Sequence, residues 1–121
     1  MEKEFVPYEQ ALQLKELLDF NEPCFGIFIT KEFRYANTPI KGYDVANGVE
    51  VLAPTFSQAF RWFDDNTECS GYIVPSIKER HFDWLIIIDE GVQFECEEAY
   101  SSRLEAEIAC LKKLIEIAKT K

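Results

Sequence analysis

The run Phe82–Ile88 constrains the fold more than any other part of the sequence. Phe, Trp and Ile side chains alternate along it, and the positions between them include Leu85 and Ile87. Successive side chains of a strand point to opposite faces, and a strand that is apolar on both faces is typical of the centre of a sheet covered on both sides. Asp89–Gly91 then predicts a hairpin turn, because glycine tolerates a positive φ, and residues 92–96 alternate as the partner strand.

Three other segments predict strands, and one predicts a loop. Cys24–Thr30 and Phe33–Ala36 alternate on either side of a short turn. Tyr72–Ile77 also alternates, and because Pro75 cannot donate to a ladder we expect that strand either to lie at the edge of a sheet or to end at Pro75. Residues 37–50 contain proline and glycine with little periodicity, which indicates an irregular loop. Loops carry much of the binding specificity of proteins, so we expect this segment to contribute to function.

Three segments have the spacing of amphipathic helices. The first begins at Pro7, where the missing N–H needs no partner. Thr55 and Ser102 begin the other two, because each hydroxyl can accept a hydrogen bond from the N–H three residues on. Gln58 and Glu105 stand at those positions, and their side chains can reach back to complete two capping boxes. The core face of the last helix is predicted to consist of Leu104, Ile108, Leu111 and Ile115, widened by Cys110, Leu114 and Ala118.

These elements follow one another in the order α-β-β-loop-α-β-β-β-α. Helices interspersed with hairpin-linked strands predict the α+β class, as a two-layer sandwich in which helices pack on an antiparallel sheet. The 121 residues match the usual size of one domain, so we expect a single domain over 1–121. Tyr8–Leu12 and Phe56–Phe60 resemble each other at an offset of 48 residues, which raises the question of an internal duplication.

The charge of the chain is strongly acidic and unevenly distributed. Twenty-two acids against thirteen bases give a net charge of −9, and the stretch Asp89–Glu107 holds seven acids with Arg103 as its one base. Such a surface repels phosphate backbones, so direct binding to nucleic acid or to an anionic membrane is disfavoured. Two interpretations stay open: a solvated surface that aids solubility, or a docking face for a basic protein partner. In the second interpretation, the candidate docking residues are Asp89, Glu90, Glu95, Glu97 and Glu98.

The aromatic residues offer a second candidate interaction site. Two Trp, Tyr72 and several Phe fall within the thirty residues that follow Thr55, more than a small two-layer domain can hide. Arg61 and Trp62 lie off the apolar stripe of the second helix. Trp, Tyr and Arg dominate the energetics of protein interfaces, so this pair is a candidate anchor. The alternative is a Trp62 ring packed beneath the loop 37–50.

The four cysteines predict a reducing compartment. Cys24, Cys69, Cys96 and Cys110 form no C-x-x-C pair and stand among apolar neighbours, which favours buried, reduced thiols over disulfides or a zinc site. The N-terminus lacks the apolar core of a signal peptide. The longest strongly apolar run is far shorter than the roughly 20 residues that span a membrane. We therefore expect a cytoplasmic protein.

No motif commits the chain to catalysis. His81 is the one histidine, and Asp83 could orient it as a general base, but the sequence offers no nucleophile for it to activate. Cys69 lies beside Glu68, whose charge disfavours the reactive thiolate. The acid pairs Asp64-Asp65 and Asp89-Glu90 lack the alternating oxygen ligands of a calcium loop. We expect no cofactor, no metal and no enzymatic activity.

Parts of the sequence resemble an uncharacterised family of short proteins common in bacterial prophages and mobile elements. The resemblance is carried chiefly by Gln58–Phe63, with the letters Q-A-F-R-W-F, and by Glu105–Glu116, with the pattern E-A-E-x-A-C-L-K-K-L-I-E. The chain departs from the family at Asp64–Asn66, where a charged helical continuation is more usual. The resemblance transfers no catalytic or binding residue. It implies a small accessory protein of a phage-like element.

Three hypotheses about function follow. The first is a non-enzymatic protein-interaction module that engages another protein, or further copies of itself as a homo-oligomer, through its acidic face or an aromatic patch. The second is an acidic mimic of DNA that inhibits a nucleic-acid-binding protein, and its binding should fall steeply as salt screens the charges. The third is a small enzyme that uses His81 in a concave pocket.

Overall fold

A computed structural model describes residues 4–41, 49–76, 80–88 and 100–119, and the backbone of 93–95. The elements are α1 (Tyr8–Leu18), β1 (Cys24–Ile29), β2 (Glu32–Ile40), β3 (Glu50–Ala53), α2 (Phe56–Asn66), β4 (Cys69–Ser76), β5 (His81–Ile88), β6 (Gln93–Glu95) and α3 (Arg103–Lys119). The α+β class and the order of the elements are confirmed, with β3 as an additional strand. In the part of the chain that is described, no helix is long and apolar enough to cross a membrane.

The chain divides into two compact units, Met1–Gln58 and Ala59–Lys121. Each unit has its own three-stranded antiparallel sheet, with the order β2-β1-β3 in the first and β4-β5-β6 in the second. The predicted sheet is therefore two sheets. The prediction of a single domain over 1–121 stays a prediction.

In the first unit, β1 and β2 form a hairpin with a two-residue turn. Ile29 pairs with Glu32, and the turn residues Thr30 and Lys31 both have a positive φ, at 49° and 70°. That geometry matches the twist of the strands it connects. Thr30 is β-branched and disfavours this region, but its N–H donates to the carbonyl of Val49 at 3.0 Å and holds the turn in place.

The loop predicted over residues 37–50 is partly strand. Residues 37–40 belong to β2, where the register with β1 is irregular between Cys24 and Gly26, and Glu50 begins β3. The four residues of β3 are too few to show a periodic pattern. The strand is therefore formed by its pairing with β1 and could not be predicted from its local sequence. Residues 42–48 lie outside the described part of the chain.

Aromatic rings pack against one another across the first unit, from the buried Phe5 and Phe28 to the exposed Tyr35. They make a continuous chain of contacts, with centroids 5.5, 5.7, 4.9 and 5.8 Å apart, in the order Tyr8, Phe28, Phe33, Phe5 and Tyr35. The chain of rings crosses β1 at Gly26, where a Cβ would stand 2.8 Å from ring atoms of both Phe5 and Phe33. Glycine is required there because the rings occupy the space of a side chain.

In the second unit, β5 is the central strand and β4 is an edge strand, as predicted from the pattern and from Pro75. Helix α3 packs on one face of this sheet. A Cβ at Gly71 of β4 would stand 2.8 Å from Leu114 Cδ1 and 2.9 Å from Cys110 Sγ. The missing side chain of Gly71 therefore lets α3 approach the strand closely.

The buried face of α3 differs from the predicted one by a rotation about the helix axis. Its buried residues are Ala106, Cys110, Leu111, Leu114 and Ile115. Leu104 and Ile108, which the spacing placed in the core, are half-buried. Spacing alone identifies an apolar stripe but not its centre. Here the centre of the buried face lies at Cys110 and Leu114, where α3 closely approaches Gly71 of β4.

The two predicted capping boxes are half formed. The N–H of Gln58 donates to Thr55 Oγ1 at 3.1 Å, and the N–H of Glu105 donates to Ser102 Oγ at 3.2 Å, so both N-caps are confirmed. The return contacts differ from the prediction. Gln58 Nε2 donates to the carbonyl of Pro23 at 2.7 Å, and the Glu105 carboxylate accepts from Ser101 Oγ at 3.3 Å.

The sheets give no support to an internal duplication. Helices α1 and α2 are both 11 residues long and lie at the offset of 48, and each is followed by three strands. The central strand is the first of the three in one unit and the second of the three in the other. A duplicated unit would keep the same strand order. The similarity between Tyr8–Leu12 and Phe56–Phe60 therefore does not extend to the strands that follow the two helices.

Candidate functional site

The sheet of the second unit has one face that α3 does not cover. Residues that lie directly opposite each other in an antiparallel pair point to the same face. Tyr72 is opposite Leu85, and Ser70 is opposite Ile87, whereas Gly71 belongs to the face that contacts α3. We call the side chains of Tyr72, Val74, Leu85 and Ile87 the open face.

The open face is apolar and accessible. Tyr72 is 48% exposed and Val74 is 45% exposed, while Leu85 and Ile87 are half-buried. On the face that packs against α3, Trp84 is 8% exposed and Ile86 is fully buried. The prediction that β5 is covered on both faces is therefore confirmed for the α3 side only. A group of neighbouring exposed apolar side chains is typical of a surface that binds another molecule.

One end of the open face carries a polar pair. His81 Nε2 lies 3.3 Å from Asp83 Oδ2, and the His81 side chain is 19% exposed. Asp83 is opposite Val74 in the register, so the pair borders the apolar residues directly. This carboxylate is the partner that the enzyme hypothesis gave to His81. The same pair can serve a binding surface, because it offers a hydrogen-bonding group beside an apolar patch.

The predicted acidic docking residues fall mostly outside the described part of the chain. Asp89, Glu90, Glu97 and Glu98 are not described, and of Glu95 only the backbone is. Glu95 pairs with Leu85 in the register of β6 with β5. The acidic segment, residues 89–98, thus follows β5 directly in the sequence, and its residue Glu95 pairs with β5. The role of this segment in docking stays a prediction.

The predicted aromatic anchor on α2 is less exposed than expected. Arg61 is exposed, but Trp62 is half-buried and its ring meets that of Phe63 edge to face at a centroid distance of 5.2 Å. Phe56 and Phe63 are buried, as the helical stripe predicts. Arg61 is therefore available to a partner, whereas Trp62 already packs against its own helix.

The cysteines that can be placed are buried and reduced. Cys24, Cys69 and Cys110 are free thiols with almost no exposure, while Cys96 lies outside the described residues. Cys69 is not accessible as a nucleophile. Burial, reinforced by the charge of Glu22, raises the pKa of the Cys24 thiol from 9.0 to about 12, against the opposing hydrogen bond with Gln58. Cys24 Sγ donates to the carbonyl of Glu22 at 3.2 Å, so this thiol stays protonated and unreactive.

Metal binding has no visible basis in the described residues, where no three His, Cys, Asp or Glu side chains gather closely enough to hold an ion. Asp64 and Asp65 are exposed in the last turns of α2, which is a solvated position.

On α3, partial burial raises the pKa of Glu107, and the nearby charge of Arg103 lowers it. Glu107 follows Ala106 on the border of the packed face, which explains its partial burial.

The open face was not singled out from the sequence, although its signal was present. Tyr72 and Val74 alternate along β4, and the apolar pattern that includes Leu85 and Ile87 predicts a second covered face of β5. Alternation shows which residues share a face and cannot show that nothing packs on it.

Comparison with known proteins gives no match: no family model, no curated protein and no solved structure matches the chain. The resemblance to prophage and mobile-element proteins stays a prediction. The features that bear on function are therefore the residues of the open face and the charge of the chain.

Proposed function

We propose that this protein is a non-enzymatic interaction module that binds another protein through the open face. The observation that carries the proposal is the accessible apolar patch of Tyr72, Val74, Leu85 and Ile87 on the face of the sheet opposite α3. Covering such a patch removes apolar surface from water, which is the main favourable term in association. An accessory role in a phage-like element is compatible with it, and the buried, reduced thiols favour a cytoplasmic location.

The charge of the chain defines the chemistry of the partner. The net charge is −9, and the acidic segment that begins at Asp89 follows directly on β5. A complementary surface has apolar side chains at its centre and Lys or Arg around them, because opposite charges steer association and like charges repel wrong partners. We therefore propose a protein partner with a basic rim, and not a nucleic acid or an anionic membrane.

The test compares capture of partner proteins from a bacterial lysate by the wild-type chain and by two variants. Leu85→Gln places a polar group on the open face in the central strand. Tyr35→Gln is the matched control, because Tyr35 is an exposed aromatic residue, at 55%, on the other sheet. Thermal unfolding of all three chains verifies that each is folded. We expect one partner to be captured by wild type and Tyr35→Gln, and to fall at least about tenfold with Leu85→Gln, which corresponds to about 1.4 kcal/mol.

Salt separates this proposal from the DNA mimic. The Debye length falls from about 10 Å at 0.1 M salt to about 3 Å at 1 M, so a complex held by charge alone dissociates. We expect the apolar contact to retain its partner at high salt with a weaker signal. A partner lost at high salt but captured equally by wild type and Leu85→Gln would favour the charge mimic. An absence of capture at both salt concentrations would contradict the proposal.

A further inference from the structure

The outer edge of β4 presents backbone groups that no described residue binds. Phe82 exchanges two backbone hydrogen bonds with Tyr100, at 2.8 and 3.0 Å, so its N–H and C=O point away from β4. Its partner in the register is Pro75, which makes this a non-hydrogen-bonded pair. Hydrogen-bonded and non-hydrogen-bonded pairs alternate along an antiparallel ladder. The N–H and C=O groups of Cys69, Gly71 and Ile73 therefore point outward from the sheet.

This edge is bound by Thr67 at one end, reaches a proline at the other and is open between them. At one end, the Thr67 hydroxyl accepts from the N–H of Cys69 at 3.0 Å and contacts its carbonyl at 3.2 Å. At the other end, Pro75 has no N–H and presents only its carbonyl. Gly71 and Ile73 lie between, and among the described residues none hydrogen-bonds their outward groups. The open part of the edge has two donors and two acceptors.

Apart from Pro75 near its end, the edge lacks the features that prevent strands from pairing. Natural edge strands are protected by charges, by proline and by irregular register. The edge strand β2 has all of these, with Glu32, Arg34, Pro39 and a register irregularity opposite β1. The eight residues of β4 have no charged side chain, in a chain whose net charge is −9, and their register with β5 is regular throughout.

We propose that two copies of this chain pair through β4, antiparallel about a two-fold axis, with Tyr72 of one copy opposite Tyr72 of the other. In this register Gly71 faces Ile73 of the second copy, and Ile73 faces its Gly71, so all open groups are satisfied. Cys69, whose groups already contact Thr67, faces Pro75, which has only a carbonyl. A shift of two residues one way sets Ile73 opposite Cys69 and loses hydrogen bonds, and a shift the other way sets Gly71 opposite Pro75 and leaves the Gly71 carbonyl without a donor. The proposed register is the one that satisfies the N–H and C=O groups of both Gly71 and Ile73.

The pairing joins two three-stranded sheets into one of six strands. The two Tyr72 rings become direct cross-strand neighbours on the same face, an arrangement that stabilises antiparallel pairs. The open faces of the two copies become continuous. This inference goes beyond the proposed function and does not depend on it, because it is argued from the backbone groups at the edge of the sheet. Tyr72 is the one residue that belongs to both the edge pairing and the open face.

The experiment measures the mass of the full chain in solution by sedimentation equilibrium. We expect the wild-type chain to reach twice its mass of 14.1 kDa. Tyr72→Lys and Tyr72→Glu should each weaken self-association at least about tenfold, since like charges then lie directly opposite each other. A mixture of the two variants should restore the dimer, because position 72 faces itself only in the proposed register. Tyr35→Lys is the control, as an exposed tyrosine on β2 whose replacement leaves the dimer intact.

A cross-link gives a second readout that does not depend on charge. Tyr72→Cys should form an intermolecular disulfide under mild oxidation beyond the amount that the wild-type chain forms. Cα atoms of a non-hydrogen-bonded pair lie about 4.5 Å apart, within the range that a disulfide bridges. A wild-type mass of 14.1 kDa at concentrations up to about 100 µM would overturn the proposal. So would a dimer that survives Tyr72→Lys, or a mixture of the two charge variants that stays monomeric.

The two proposals can fail separately. Leu85→Gln lies one strand away from the edge, so it should leave the dimer intact while it weakens partner capture. Loss of the dimer with Leu85→Gln would contradict pairing through β4. Failure of partner capture with an intact dimer would contradict the proposed function alone.

Discussion

The close approach of α3 to β4 predicts that Gly71→Ala destabilises the protein. The added methyl would stand 2.8 Å from Leu114 Cδ1 and 2.9 Å from Cys110 Sγ, well inside ordinary contact. Both neighbours are fully buried in the core, so neither can turn away into solvent. Adding a methyl to a packed core costs about 1–3 kcal/mol. Replacing a strand glycine would otherwise stabilise by about 0.5–1 kcal/mol, so the expected net loss is about 1 kcal/mol and at most about 2.5 kcal/mol.

Urea unfolding at one low protein concentration measures this loss without a contribution from self-association. With a slope of about 1–3 kcal/mol per molar urea for a small protein, a net loss of about 1 kcal/mol should lower the midpoint by roughly 0.3–1 M at constant slope. Ser70→Ala is the matched control, because Ser70 belongs to the face of β4 that does not contact α3. Its midpoint should change little. An unchanged or raised midpoint for Gly71→Ala would refute the reasoning that α3 is held against the strand by the missing side chain.

Two further predictions concern the first unit. Thr55→Ala removes the acceptor for the N–H of Gln58 and should cost about 1 kcal/mol in urea unfolding, whereas Thr55→Ser should retain most of the stability. Cys24 should make unfolding pH-dependent, because its folded pKa of about 12 exceeds the ordinary 9.0. Below pH 9 both states hold the proton. As the pH rises from 9 to 12 the unfolded chain loses it first, and the free energy of unfolding should fall by up to about 4 kcal/mol. Denaturation curves at several pH values should show a steeper fall in wild type than in Cys24→Ala; equal slopes in the two chains would contradict it.

The sequence by itself determined the elements whose signals are local. Thr55 and Ser102 mark two helix starts because their hydroxyls accept from orphan N–H groups. Pro7 marks the other because it has no N–H that would need a partner. The central position of β5 and the edge position of β4 were also predictable. The first follows from the number of apolar residues, and the second from a proline that cannot donate.

Only the tertiary structure decided how these elements combine. β3 forms by pairing with β1, Gln58 donates to Pro23 and not to its own helix start, and the buried face of α3 is centred on Cys110 and Leu114. Each of these depends on groups that are distant in sequence, with 35 residues separating Gln58 from Pro23. A periodic pattern gives the direction of a side chain relative to its neighbours, but not the identity of the surface it meets. For the same reason the apolar side chains of Tyr72, Val74, Leu85 and Ile87 were visible in the sequence, while the fact that they form an accessible face was not.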